Sequence, residues 1–117
     1  MSDDSATREW RFYIADMIGF CERIQSFNVG IRREEFSVDP MRYDATVRNI
    51  ELIGEAARHV PMAVRQANAL IPWRMMIATR NQLIHGYAGI DDDVLWSIVR
   101  DDIPGLLIAL SDIQSVD

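Results

Sequence analysis

Along nearly the whole of this 117-residue chain the apolar positions recur at intervals of three and four, and strand-like alternation is almost absent. Trp10, Ile14, Met17, Cys21 and Ile24 form one stripe, widened by Tyr13 and Ile18, which predicts a first helix from about Thr7 to Phe27. Asn28, Val29 and Gly30 close it. Glu34 to Phe36 reads as a short helical turn. Asp39 before Pro40 is an N-cap followed by proline at the first helical position. It predicts a second helix reaching about His59, with Val47, Ile50, Ile53, Ala57 and Val60 toward the core. Pro61 stops that helix and opens a short one to about Ala67. Pro72 starts helix three, carrying Trp73, Met76, Ile77, Leu83 and Ile84, which Gly86 and Gly89 bring to an end. Asp91, Asp92 and Asp93 precede helix four, with Val94, Leu95, Ile98, Val99, Leu106, Leu110 and Ile113 apolar and Pro104 expected to kink or split it. Four main amphipathic helices on short connections predict an all-α, up-and-down bundle. The chain reads as one domain over residues 1–117, flexible at 1–6 and frayed at 112–117.

Composition narrows the class. Apolar residues make up 49% of the chain, enough for a core but not a generous one, so a core shared between two copies suits it. No apolar run approaches the roughly 18 residues of a membrane span, and the polar, acidic start is unlike a signal peptide. Cys21 is the only cysteine, which excludes an intramolecular disulfide and suits a buried small hydrophobe. A cytoplasmic location is expected. The net charge of −6 is unevenly spread: residues 1–31 carry −2, residues 32–80 carry +2 and residues 81–117 carry −6. The acidic total argues against a general nucleic-acid coat protein, yet it permits a local cleft lined by arginine. There is no lysine, so every fixed side-chain cation is a guanidinium.

One stretch concentrates chemistry: Arg80-Asn81-Gln82-Leu83-Ile84-His85-Gly86-Tyr87. A guanidinium can clamp phosphate and hold developing negative charge, and an imidazole can move a proton near neutral pH. On a helix Ile84 lies about 40° from Arg80, Asn81 about 100° and His85 about 140°, with Tyr87 returning close to Arg80. Arg80 therefore sits at the edge of the apolar stripe, where an unpaired charge is costly and calls for a carboxylate, a phosphate or a second chain. A structural account stays open for each residue. Arg80 can pair with Glu51 or Glu55 of helix two, His85 can favour a helix C-terminus, and Tyr87 can be a core-edge aromatic. Around this stretch, Arg48 and Glu55 are candidate cleft residues with ordinary salt bridges as the alternative, and Arg32 and Arg33 are candidate phosphate contacts or a solvated loop. Gly54 suits a close helix–helix approach, since glycine inside a helix costs stability. His59 reads as a surface residue at a helix end, with no cysteine or second histidine at metal-ligand spacing, so neither a metal nor a cofactor is expected. Without a glycine-rich phosphate loop, nucleotide transfer is not this chain's own chemistry.

The chain resembles the HEPN superfamily, more narrowly the HepT-like toxins encoded beside minimal nucleotidyltransferases. Arg80-Asn81, His85 and Tyr87 match the family pattern R-x4-H-x-Y position by position. Arg48-Asn49-Ile50-Glu51-Leu52-Ile53-Gly54-Glu55-Ala56 and Ile71-Pro72-Trp73 are two further hallmarks in the same order, and the similarity covers roughly residues 8–110. The resemblance implies a metal-independent endoribonuclease acting as the toxin of a toxin–antitoxin pair, with RNA as substrate and Arg80, His85 and Asn81 as catalytic residues. It also implies a homodimer whose two motifs face one cleft, and neutralisation by a partner nucleotidyltransferase that transfers AMP to Tyr87. Two rival readings stand beside it: a non-catalytic binding or regulatory subunit of such a nucleotidyltransferase, and a purely structural helical dimer.

Overall fold

The computed structural model describes residues 2–86 and 90–115, with side chains from residue 9 onward. Among the described residues there is no strand. The elements are α1 (Ser2–Asn28), α2 (Arg33–Val38), α3 (Pro40–Ala57), α4 (Met62–Ala67), α5 (Trp73–Ile84), α6 (Asp92–Ser97), a π turn (Ile98–Asp102) and α7 (Ile103–Ser115). The predicted punctuation holds at its main points. The Asp39 carboxylate accepts from the Arg42 N–H with Pro40 at the helix start, and the Asp91 carboxylate accepts from the Val94 N–H at 2.9 Å. The first helix begins at Ser2, earlier than its apolar stripe, because polar residues carry no periodic signal with which to place a start.

The centre of the α1 stripe is enclosed: Ile14, Met17, Cys21 and Ile24 have no exposed surface, while Trp10, Tyr13 and Ile18 are partly buried against them. It packs between α3, which contributes Val47, Ile50, Ile53 and Ala57, and α7, which contributes Ile103, Leu106, Leu110 and Ile113. Each large aliphatic side chain so buried stabilises the fold by about 1.5–3 kcal/mol. α3 also packs against α5, so the main helices contact one another in the order α5, α3, α1, α7. Phe36 of α2 plugs one end, its ring 5.2 Å from Tyr43 and 5.4 Å from Trp96. An apolar cavity of about 400 Å³ opens between α5 and α7, floored by Ile50 and Ile53. Val94 and Ile84, expected on core stripes, are 48% and 46% exposed, because each lies at a helix end where the neighbouring helix no longer covers it.

Pro104 does not split helix four. The helical run is continuous from Asp92 to Ser115, and the irregularity is the π turn just before the proline, closed by the Ile103 N–H on the Ile98 carbonyl. The wider turn spreads the backbone ahead of the pyrrolidine ring and relieves its clash with the preceding turn. No helix among the described residues is long and apolar enough to cross a membrane.

Candidate functional site

Gly54 decides where the candidate residues meet. A Cβ there would lie 2.4 Å from Arg80 Cβ and 2.5 Å from the Met76 carbonyl oxygen, so α5 rests directly on the α3 backbone. This contact brings Arg80 of α5 beside Glu55, the next residue of α3. The Arg80 guanidinium pairs with Glu55 Oε1 at 2.8 Å, and its side chain keeps only 21% of its surface exposed. The cation at the edge of the apolar stripe thus has its carboxylate, and of the two acids expected to serve, it is Glu55. Glu51 instead lies 3.8 Å from Arg48. Arg80 also donates from Nη1 to Asn81 Oδ1 at 2.9 Å. A guanidinium carries five N–H donors, so these two contacts leave donors free for a phosphate.

Glu55 is a shared acceptor. Its Oε1 also accepts from Arg58 Nη1 at 3.3 Å, while Oε2 meets His59 Nε2 at 3.1 Å. The hydrogen bond from His59, aided by the charges of Arg80 and Arg58, holds the Glu55 carboxyl below the usual glutamate range against the opposing pull of desolvation. Glu55 is therefore an anion that positions cations, and not a group poised to accept a proton near neutral pH.

His85 caps the C-terminal end of α5, its N–H bonded to the Asn81 carbonyl at 3.3 Å. The imidazole is exposed and has no side-chain partner among the described residues. Gly86 follows at φ +120°, in the region that L side chains rarely adopt, and turns the chain out of the helix. Arg80 and His85 thus stand about a turn and a half apart on one helix. Tyr87 lies outside the described residues.

The other candidates divide. Arg48, about two turns before Glu55, is exposed on α3 and joins Glu51. Arg32 pairs with Glu35 at the start of α2, and Arg33 with Asp93 across to α6, so neither belongs to the Arg80 cluster. Three residues absent from the sequence-derived candidate set do belong near it: Arg58, His59 and Tyr13, whose ring stacks on His59 at 4.9 Å and 15°. A signal for two of them was present. Residues three and four after Glu55 share its helix face, which Arg58 and His59 satisfy. Tyr13 comes from α1, and no spacing could connect it.

Comparison with known proteins gives the family. A family model described as "Ribonuclease HepT-like" matches residues 17–113, most of the chain and every candidate above except Tyr13. A Thermococcus cleftensis protein named "Probable ribonuclease HepT" is 38% identical over 99 residues, covering 85% of this chain and 90% of the relative. A Methanocaldococcus jannaschii protein named "Putative RNase MJ1380" is 35% identical over 97 residues, covering 83% and 89%. No solved structure matches the chain significantly.

Proposed function

The chain belongs to the HepT-like ribonuclease family, of HEPN type, and from that premise we propose that it is a metal-independent endoribonuclease with Arg80, Asn81 and His85 as its catalytic set. The observation that carries the reading is the setting of the Arg80 and His85 side chains. Arg80 is oriented by Glu55 and Asn81 with donors to spare, while His85, exposed at the C-terminal end of the same helix, has no side-chain partner among the described residues. In the proposed reaction the scissile phosphate docks on Arg80. His85 removes the proton from the ribose 2′-hydroxyl as its oxygen attacks phosphorus, or delivers a proton to the departing 5′-oxygen. Two His85 side chains across a dimer cleft can divide these roles. The P–O5′ bond breaks, leaving a 2′,3′-cyclic phosphate and a 5′-hydroxyl, with Arg80 holding the charge of the pentacovalent transition state.

The finer reading is a toxin–antitoxin pair acting on RNA. The active form is a homodimer, and a partner nucleotidyltransferase silences it by adenylylating Tyr87. That residue follows Gly86 in the sequence, and an AMP group on it would add bulk and negative charge to the motif that recognises substrate phosphate. Purified protein incubated with RNA in EDTA tests the chemistry. Cleavage with cyclic-phosphate ends, lost in His85→Ala, is expected; undiminished cleavage by folded His85→Ala protein refutes the assignment. Co-expression with a minimal nucleotidyltransferase, followed by intact mass of wild-type and Tyr87→Phe chains, tests the silencing.

A further inference from the structure

His59 is unused by the proposed reaction, yet it is held more firmly than an incidental surface histidine. Its ring lies flat on Tyr13 of α1, and its Nε2 edge is fixed on Glu55. Its backbone turn is stapled by Arg65 of α4, which donates to the carbonyls of Arg58 and Val60 on either side. Even so, the side chain is 46% exposed, because stacking and the edge contact leave the rest of the ring open. Arg80 and His59 occupy opposite oxygens of the Glu55 carboxylate, so guanidinium and imidazole are separated by no more than about 8 Å, two hydrogen bonds and a carboxylate's width. That span is comparable to the distance between a nucleotide's phosphate and its base.

We infer that the Tyr13–His59 stack is a nucleobase shelf: a base of single-stranded RNA lies on the open face of His59 while the adjoining phosphate sits on Arg80. The inference rests on the ribonuclease reading and adds a base-binding subsite to it. Pre-stacked rings beside arginines are the combination with which proteins hold unpaired bases, because every base offers a π face and every linkage a negative charge. Arg58, half exposed next to the shelf, supplies a second cation. Tyr13 lends rigidity, so that little side-chain entropy is lost when a base settles. Selection falls on an unpaired base, since a base inside a duplex presents no face to the shelf.

The opposing explanation is that His59 serves only to fix Glu55, and two substitutions separate the alternatives. His59→Gln can keep a hydrogen bond to Glu55 but removes the ring. His59→Phe keeps the ring but removes the bond. Both are placed in a full-length His85→Ala background, and the binding of a fluorescein-labelled, single-stranded RNA is measured by anisotropy. The same RNA with an abasic nucleotide at successive positions is measured beside it. The shelf predicts that His59→Gln weakens binding about tenfold while His59→Phe stays close to the parent. It predicts also that one abasic position costs the parent about tenfold and His59→Gln nothing further. Weakening in His59→Phe with His59→Gln unchanged overturns the shelf in favour of a positioning role. Equal abasic penalties in parent and His59→Gln overturn it as well, as does an absence of RNA binding. Cleavage by the wild-type chain is scored separately, so a protein that binds as predicted but does not cut RNA refutes the ribonuclease reading and leaves the shelf standing.

Discussion

Adding one methyl group at Gly54 tests the contact on which the site is built. In Gly54→Ala the new Cβ would meet Arg80 Cβ at 2.4 Å and the Met76 carbonyl oxygen at 2.5 Å. Carbon atoms rest at about 3.5–4.0 Å, so α3 and α5 must separate by roughly 1 Å. Neither contacting atom is the free end of a flexible side chain, and the strain cannot be relieved by a rotamer change. Overpacking of this kind costs about 1–3 kcal/mol, against which the better helix propensity of alanine returns about 0.5–1 kcal/mol. The net expectation is a loss of about 1–2 kcal/mol, or a melting temperature lower by about 4–8 °C for a domain of this size. Thermal unfolding followed by circular dichroism reads the first effect. Cleavage measured well below the melting transition reads the second, because displacement of α5 draws Arg80 away from Glu55 and lowers turnover in protein that is still folded. A variant that melts at or above the wild-type temperature would refute the close approach, since propensity alone would then govern. Unchanged turnover in a destabilised variant would refute the link from Gly54 to Arg80.

Three further outcomes are expected. His85→Ala should lower cleavage by about 10²–10⁴-fold. It should barely move the melting temperature, since the ring is exposed and touches no described partner; a large loss of stability would show a structural imidazole. Because the folded-state Glu55 carboxyl is held below its ordinary value, its contribution to stability is complete above that ordinary value and is lost as pH falls through the folded one. The melting temperature of the wild type should therefore drop more steeply between about pH 5 and pH 3 than that of Glu55→Gln, and parallel pH profiles would refute the cluster's anionic role. Burial, reinforced by the nearby Glu22 charge, pushes the Cys21 thiol up to about 12. The native protein should resist a thiol reagent at pH 8 and label rapidly once unfolded, and fast native labelling would contradict the α1 packing.

Much of the fold was legible because helices announce themselves locally. The Ile14–Ile24 stripe, the Asp39-Pro40 start and the Asp91 cap are all short-range signals, and each appears in the structure. The proline signal was also local, but its outcome was not. Whether Pro104 breaks a helix or is absorbed by a π turn depends on how firmly Leu95, Val99, Ile103 and Leu106 are buried on either side. Boundaries such as Ser2 and the exposed Val94 escaped for the opposite reason, since periodicity describes a face and is silent on where its cover ends.

The candidate site divides along the same line. By itself the sequence determined that Arg80 needs a counter-charge, because its position at the edge of an apolar stripe follows from helical geometry and an unpaired buried cation is costly. It also put Asn81 and His85 on that helix, and it carried enough family pattern across residues 17–113 to identify a HepT-like ribonuclease. Only the tertiary structure decided which acid answers Arg80. Glu51 and Glu55 are equivalent as sequence, and the choice follows from the register in which α5 settles over Gly54. The structure alone brought Tyr13 onto His59, because a contact between α1 and the end of α3 depends on packing across 45 residues of intervening sequence. Local order is written in spacing, whereas the meeting of distant side chains is set by how closely two helix backbones can approach. Here a missing methyl group sets that distance.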